Sequence, residues 1–535
     1  MDQQNISERN DNRSRKPRSQ AFRAFMATGW ADPPDGDSGR LDSADHAARR
    51  RAALGAGFPG DRLVIPAGAF KTRANDSDYA FRPHSAFAHL TGLGADQEPD
   101  AVLVLHPLES PEAADGGTVA AGAAGAREPV PAHEAVLYIR PAAGKDTPEF
   151  YSDARYGEFW VGRRPTLAEI AAQTGIRTEH LDSLRDALAK DAGPGQVSLR
   201  VIAETDAAVT AMVAEVRSEA GLGAPGADAG EDGLTPDQKL AEAASELRLV
   251  KDEWEIGQMR VAIAATVSGF ERVVRALPAA SAAARGERAV EAAFEAGARV
   301  DGNGPGYETI AASGPHATTL HWIRNSGPVR TGDLLLLDAG VEADSLYTAD
   351  ITRTIPVSGR YTDIQRRVWE AVVDAADAAF AAARPGNRFR DVHDAAMAVV
   401  AQRLEQWGLL PVAAAEALAP QGQQHRRWMV HGTSHHLGLD VHDCAQARAE
   451  LYVDAVLRPG MVFTIEPGLY FKPEDLTVPP EYRGIGARCE DDILITADGA
   501  ENLSAALPRR ADAIEAWMAA LQDPGATAGP QSAVG

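Results

Sequence analysis

Apolar and polar positions divide the chain into two regions with regular patterns, flanked and separated by polar or low-complexity segments. From about residue 46 to 218, helical patterns alternate with short β-rich runs, which are LVIPAG (63–68), AVLVLHP (101–107) and AVLYIRP (135–141). From about residue 239 to 520, strands are predicted at DLLLLDAG (333–340), TADITRTIPV (348–357), MVFTIEPG (461–468) and RCEDDILIT (488–496). Helical patterns flank these mostly antiparallel strands, which predicts an α+β fold for the second region.

One helix of the second region has clear signals at both ends. Thr362 can cap its start, with Gln365 closing a capping box, and Pro385-Gly386 ends it. Apolar residues recur between these limits at helical spacing, namely Ile364, Val368, Trp369, Val372, Val373 and Phe380.

The polar segments set the predicted domain limits. A smaller α/β domain is expected over 46–219, a linker over 220–238 and a larger domain over 239–520, because a chain of 535 residues exceeds a single core. Residues 1–45 are predicted to be a mostly disordered extension with one helical turn around AFRAFMATGW, the alternative being a partner-binding arm. The Gly/Ala/Pro-rich insertion at 109–133 is expected to be an exposed loop, and residues 521–535 a flexible tail.

Charge and cysteine content exclude several classes of protein. The net charge of −23 argues against a nucleic-acid partner, which would require clustered Lys and Arg. No apolar run of about 18 residues is present, so no membrane span is expected. The N-terminus has no apolar stretch typical of a secretory signal, and the two cysteines, Cys444 and Cys489, form no zinc motif. We expect a cytoplasmic protein.

The first candidate for chemistry is a pair of aspartates at predicted strand positions. Asp338 follows four leucines, where a carboxylate is costly to bury, and Asp350 lies 12 residues later in the next strand. A hairpin would place the two side by side, and such a pair is stabilised by a bridging cation. Alternatively, Asp338 caps a turn and Asp350 pairs with Arg353.

Three further clusters contain histidines or acidic residues that are also candidates for chemistry. HGTSHHLGLDVHD (431–443) holds four histidines and two glycines, which favours an irregular segment with metal-binding or proton-transfer residues. Glu466 ends the strand of TIEPGLY, and Glu490 lies in RCEDD, two positions after Arg488. A solvated acidic strand end is the alternative there, and it suits Asp491 and Asp492 better than Glu490.

Together these clusters predict a metal centre. Four carboxylates at strand positions and one imidazole are ligands that suit Mn²⁺, Co²⁺, Fe²⁺ or Zn²⁺. They do not resemble the thiolate ligands of a structural zinc site. Two such ions can share a water, lower its pKa and hold both the attacking and the leaving atoms of a hydrolysis.

The ordered motifs LLLLDAG, TADITRTIPV, HGTSHHLGLDVHD, TIEPGLY and RGIGARCEDD resemble those of the pita-bread metallopeptidases, and among them the Xaa-Pro aminopeptidase (aminopeptidase P) family. TRANDSDYAFRPHSAFAHLTG (72–92) resembles the N-terminal domain of that family, and SELRLVKDEWEI the start of its catalytic domain. The likeness spans about residues 46 to 520. It implies a pita-bread catalytic domain preceded by a smaller α/β creatinase-like domain, two metal ions, usually Mn²⁺, and a homo-oligomer, either a dimer or a tetramer.

The resemblance also implies roles for individual residues. Asp338 would bind one metal, His435 and Glu466 the other, and Asp350 and Glu490 both. His321, His431 and His442 match histidines that contact the substrate or the developing oxyanion. Asp76, Tyr470 and Arg488 match positions that support the site. The spacing of the two aspartates is one residue longer than is usual in the family, which an extra residue in the hairpin turn would accommodate.

The expected reaction is removal of the first residue from peptides whose second residue is proline. A hydroxide shared by the metals would attack the carbonyl carbon, with Glu466 transferring the proton to the proline nitrogen. The nearest alternative is a prolidase, which cleaves only Xaa-Pro dipeptides. Methionine aminopeptidase is disfavoured by the large N-terminal domain. An inactive binding protein or a metal-free creatinase-like hydrolase is disfavoured because all five ligands are present.

Overall fold

The computed structural model describes residues 17, 19–31, 39–108, 132–223 and 233–523. It contains two compact units, Met1–Ala244 and Ser245–Gly535, and the boundary between them falls within a helix, Pro236–Glu246. Most of the predicted extension, insertion, linker and tail lies outside the described residues. The predicted domain limits therefore remain predictions, although a short helix, Gln20–Met26, lies where a helical turn was expected.

The first unit is built on a five-stranded mixed sheet, and its predicted strands are confirmed. Its strands are β1 (Asp61–Pro66), β4 (Val102–Pro107), β5 (His133–Ile139), β6 (Arg177–His180) and β7 (Ser198–Val201), and a separate hairpin is formed by β2 (Thr72–Ala74) and β3 (Ser77–Asp78). The sheet order is β6-β5-β4-β1-β7, with β1 antiparallel to β4 and parallel to β7. Valine-rich strand positions pack against apolar positions of helices that follow in the chain, which gives this unit its own core.

The helices of the first unit are short or of medium length. They are α1 (Gln20–Met26), α2 (Ala44–Ala56), α3 (Ser85–Thr91), α4 (Pro148–Ser152), α5 (Glu158–Val161), α6 (Leu167–Thr174), α7 (Leu184–Ala189) and α8 (Ala207–Glu219), and α9 (Pro236–Glu246) contains the boundary.

The second unit contains several small antiparallel sheets, as the strand patterns predicted. The strands are β8 (Gly304–Pro305), β9 (Ile310–Ser313), β10 (Leu334–Ala339), β11 (Val341–Glu342), β12 (Ile351–Pro356), β13 (Val462–Ile465), β14 (Gly468–Tyr470), β15 (Gly486–Arg488), β16 (Asp491–Ile495) and β17 (Ala500–Asn502). The sheet orders are β12-β10-β9, β13-β16-β17, β14-β15 and β11-β8.

Long helices flank these sheets and supply much of the core of the second unit. The helices are α10 (Glu253–Ala282), α11 (Gly286–Asp301), α12 (Asp363–Ala382), α13 (Phe389–Gln406), α14 (Ala414–Leu418) and α15 (Ala511–Gln522). α12 has the predicted Thr362–Gln365 capping box, because each side chain bonds the backbone N–H of the other residue. On its apolar face Val368, Trp369 and Val372 are fully buried, while Ile364 and Phe380 are partly buried. Of the helices in the described residues, none has both the length and the hydropathy that crossing a membrane requires.

Candidate metal centre

Asp338 and Asp350 meet on neighbouring strands. The register of β10 and β12 pairs Asp338 with Thr352, so Asp350, just before β12, lies near the same end of the hairpin. Asp338 is 7% exposed and Asp350 is 5% exposed. The hydroxyl of Tyr307 lies 2.7 Å from Asp338 Oδ1 and 2.6 Å from Asp350 Oδ1. The alternative pairing of Asp350 with Arg353 is wrong, because Arg353 binds Asp491 at 2.6 Å.

His435 joins these carboxylates to the two glutamates. Its Nε2 atom lies 3.3 Å from Asp350 Oδ2, 3.9 Å from Glu466 Oε1 and 4.0 Å from Glu490 Oε1. Ligand atoms of Asp350, His435 and Glu490 all lie within 4.8 Å of one another. Glu466 follows β13, and Glu490 lies between β15 and β16, where it bridges to Thr352. Side chains from four parts of the sequence therefore converge on one point.

The electrostatics of this cluster show an excess of negative charge. Burial, reinforced by neighbouring carboxylates, raises the pKa of Glu490 well above its usual range. Burial also raises the pKa of Glu466 to about 7 and that of Asp338 above its ordinary value, although Arg488 opposes both shifts. Burial alone would lower the pKa of His435, but its hydrogen bond to Asp350 and the surrounding negative charge raise it to about 9. The cluster therefore attracts positive charge.

The donor set fits divalent cations. Three buried carboxylates and the partly buried Glu466 face one imidazole and one guanidinium, and like charges this close are unfavourable unless cations compensate them. Carboxylate oxygens with one imidazole nitrogen are ligands typical of Mn²⁺ and related ions. The residues that would hold the metals are Asp338, Asp350, His435, Glu466 and Glu490.

Arg488 and Thr352 hold the ligands in place. The buried guanidinium of Arg488 donates to Asp338, to Thr352 Oγ1 at 3.1 Å and to the hydroxyl of Tyr470 at 3.1 Å. Thr352 Oγ1 in turn donates to Glu490 Oε2 at 2.7 Å. These contacts orient the carboxylates, as hydrogen bonds to metal ligands commonly do.

Three of the four histidines in the 431–443 segment reach the site. His431 Nε2 lies 2.8 Å from the hydroxyl of Tyr470, and its Nδ1 lies 3.5 Å from Glu466 Oε2. The rings of His435 and His442 meet edge to face, with centroids 4.5 Å apart. His436 instead points into the core, where it stacks on Phe389 at 4.9 Å. The segment is irregular, as its glycines predicted.

A cavity of about 620 Å³ opens beside the ligands. His321 lines it together with apolar side chains, including Leu320, Ile323 and Val441. The cavity is large enough for several residues of a peptide. Asp76 lies in the other unit, in the turn between β2 and β3, and its supporting role remains a prediction.

Some residues of the site were not expected from the sequence. Tyr307 follows the glycine-rich GNGPG segment, and nothing in its spacing indicates contact with both aspartates. Thr352 had a signal, since it lies two positions after Asp350 and thus on the same face of the strand. The expectation that Asp491 and Asp492 are solvated is wrong. They are 1% and 0% exposed, because Arg353 binds Asp491 and the amide N–H of Asp350 donates to Asp492 at 3.2 Å.

Comparison with known proteins gives matches over both units. The family model for metallopeptidase family M24 matches residues 257–497, and that for the aminopeptidase P N-terminal domain matches residues 46–198. Xaa-Pro aminopeptidase 1 of Streptomyces coelicolor is 49% identical over 93% of this chain and 91% of its own length. Xaa-Pro aminopeptidase of Escherichia coli is 32% identical over 89% of this chain and 97% of its own.

Solved structures agree with these matches. Aminopeptidase PepP of Pseudomonas aeruginosa superposes with a TM-score of 0.72 at 29% identity, covering 90% of this chain and 99% of that one. A variant of E. coli aminopeptidase P, solved in complex with substrate, has the same TM-score, identity and coverage.

Proposed function

The chain belongs to the Xaa-Pro aminopeptidases of metallopeptidase family M24 and is a hydrolase, and from this premise we propose that it acts with two divalent metal ions on peptides that have proline at position two. The observation that carries the proposal is that three buried carboxylates, the partly buried Glu466 and His435 line one peptide-sized cavity. The released product is the N-terminal amino acid.

The metals have identifiable ligands. Asp338 would bind one ion, His435 and Glu466 the other, and Asp350 and Glu490 would be shared. The position of Asp350, which contacts His435 and shares the Tyr307 hydroxyl with Asp338, supports this assignment. We propose Mn²⁺ because oxygen ligands outnumber nitrogen in the set. When bound, the two ions acidify water and polarise the scissile carbonyl.

The remaining steps fall to side chains of this chain. The Glu466 carboxylate lies between His431 and His435, facing the cavity, where it can accept the proton of the attacking water and deliver it to the proline nitrogen. His442 and His431 also line the cavity, where they would hydrogen-bond the carbonyl oxygen as it becomes anionic. His321 lines the cavity as well, where it would contact the substrate.

Selectivity for proline has to come from shape. The amide nitrogen of an Xaa-Pro bond carries no hydrogen, so the enzyme cannot recognise an N–H there. The apolar side chains of Leu320, Ile323 and Val441 in the cavity wall offer a surface that suits an aliphatic ring. The family resemblance also leads us to propose a homo-oligomer, and the low cysteine content leads us to propose a cytoplasmic location. The two cysteines, both free and buried, are compatible with that compartment.

The test is hydrolysis of an Xaa-Pro-Yaa tripeptide set against the matching Xaa-Pro dipeptide, each measured with and without added Mn²⁺. We expect Mn²⁺-dependent release of the first residue from the tripeptides. Cleavage restricted to the dipeptides would replace the proposal with a prolidase activity, and turnover unaffected by exhaustive chelation would exclude the metal mechanism.

A further inference from the structure

A second group of buried charges lies outside the cavity, within the second unit. Arg248 and Lys251 come from the SELRLVKDEWEI motif, and Asp443 ends the histidine-rich segment. Lys251 Nζ lies 3.0 Å from Asp443 Oδ2, and Arg248 Nε lies 2.9 Å from Asp443 Oδ1. The side chains of Lys251 and Asp443 are 0% and 1% exposed. We refer to these three residues as the Asp443 clamp, and none of them contacts the proposed reaction directly.

The clamp lies at the closure of a short loop. The amide N–H of Asp443 donates to the carbonyl of His436 at 2.9 Å, which closes residues 436–443. The amide of Cys444 donates to Asp443 Oδ1 at 2.9 Å, and Cys444 has a left-handed backbone with φ 61°. His435 directly precedes this loop, and His442 is its next-to-last residue. The rings of these two histidines lie edge to face. Fixing Asp443 therefore fixes one histidine relative to the other.

The loop packs tightly over the clamp. A Cβ atom at Gly438 would lie 2.3 Å from Asp443 Oδ2 and 3.0 Å from Lys251 Nζ, so no side chain fits there. Lys251 Nζ also donates to the carbonyl of Arg248 at 2.7 Å, which ties the ammonium to its own chain segment. The carboxylate of Asp443 thus has two cationic partners and little freedom to move.

Such a cluster is better explained by precise placement than by stability. A buried ion cluster contributes little net stability compared with apolar side chains of similar volume, because desolvation offsets the attraction between the charges. Its directional hydrogen bonds do restrict geometry. His442 is the residue directly before Asp443, so this restriction passes to a group that lines the cavity.

We propose that Asp443, held by Lys251 and Arg248, is a positioning residue that places the His442 imidazole against His435 for the reaction. The inference rests on the proposed function of His442. It assigns a role to the SELRLVKDEWEI motif, which supplies both cations.

The first measurement is steady-state kinetics of Asp443→Asn with an Xaa-Pro-Yaa tripeptide, at temperatures where the variant is folded. A misplaced catalytic group costs on the order of 10- to 100-fold, so we expect kcat to fall by about that factor, with a much smaller change in KM. An unchanged kcat would overturn the proposal. Lys251→Met provides a second variant, with the same expectation, if Asp443→Asn does not fold.

The second measurement repeats Asp443→Asn in the His442→Ala background. If the clamp acts through His442, the two losses are strongly non-additive, and the added substitution lowers kcat by about twofold at most. An equal factor in both backgrounds would show a general structural role and overturn the proposal. A wild-type chain that cleaves no tripeptide would contradict the proposed function instead, and the clamp would then be judged by hydrogen exchange.

Hydrogen exchange of residues 436–444 gives this independent readout. We expect faster exchange in Asp443→Asn, whether or not metal is present. The matched control is Asp475→Asn, which removes another buried carboxylate, bound to Arg427 at 2.9 Å and Trp428 at 3.0 Å, and leaves exchange of the loop unchanged. Unaltered exchange in Asp443→Asn, or an equal change in both variants, would refute the role of the clamp in holding the loop.

Discussion

Asp443 and the carboxylates of the cavity are all largely shielded from solvent, yet their electrostatic surroundings are opposite. Burial alone would raise the pKa of Asp443, but Lys251 and Arg248 hold it well below its usual range. In the cavity, burial and mutual repulsion raise the pKa values of Asp338, Glu466 and Glu490, and Arg488 only partly opposes the shift. One cluster is neutralised by the chain itself, whereas the other depends on cations from solution.

The largest expected effect is the loss of turnover when metal is removed. Metal removal acts on the cavity cluster and not on the Asp443 clamp. Dialysis against a strong chelator should abolish tripeptide turnover, and added Mn²⁺ should restore it. Because ligands bind the folded state, Mn²⁺ at about 1,000 times its Kd should also stabilise the protein by about 4 kcal/mol. Thermal unfolding with and without Mn²⁺ measures this effect. In a variant lacking Asp350 and Glu490 the increase should vanish, and its persistence would place the metals elsewhere.

Glu466→Gln tests the same cluster through a single proton-transfer group. Glutamine keeps the size and one oxygen but cannot carry the proton, so we expect kcat to fall about a thousandfold or more, equivalent to about 4 kcal/mol. Metal content is measured alongside, to separate lost proton transfer from lost binding. A variant that retains metal and near-normal kcat would remove Glu466 from this role.

Replacing one carboxylate by its amide in each cluster of the metal-free protein compares the stability of the two clusters directly. Asp443→Asn removes the nearest negative charge from Lys251 and Arg248, leaving Asp440 3.7 Å from Arg248, and breaking a buried pair in this way costs at least about 3 kcal/mol. Glu490→Gln removes a repelling charge, so the free energy of unfolding should stay the same or rise. Urea unfolding of both variants in chelator gives the comparison. Equal destabilisation would mean that the cavity carboxylates are already compensated without metal.

Glu98, in the first unit, is intermediate between Asp443 and the cavity carboxylates, because its one cationic partner only partly compensates its burial. It gives the smallest expected effect. It is 4% exposed and 3.5 Å from Arg164, and burial raises its pKa to about 7 despite that partner. A folded-state pKa above the unfolded value means stability is greatest at low pH and is lost as pH rises. Between about pH 4.5 and 7 the first unit should lose about 2 to 3 kcal/mol from this group.

The measurement is hydrogen exchange of β1 and β4 at several pH values, corrected for intrinsic rates. Glu98→Gln should flatten the pH dependence, whereas Glu134→Gln, which changes an exposed acid on β5, should leave it as in the wild type. Parallel curves for wild type and Glu98→Gln would contradict the assignment.

The sequence was informative wherever local pattern determines structure. Apolar runs predicted the strand that carries Asp338 and the strand that ends just before Glu466, and the Thr362 signal predicted the start of α12, because these features depend on neighbouring residues. The surroundings of Asp491 and Asp492 could not be predicted in this way. Arg353 binds Asp491 from 138 residues away, and a partner at that separation leaves no local signature. Tyr307 was missed for the same reason.

The partners Arg488 and Asp338 are 150 residues apart in the sequence. During synthesis, the chain therefore makes the first metal ligand long before the arginine and the final glutamate that complete the centre. The full set of proposed ligands is assembled only after β15 and β16 have left the ribosome and paired with β14 and β13. A nascent chain that stalls before this point carries the first acidic ligands without the arginine that bonds Asp338.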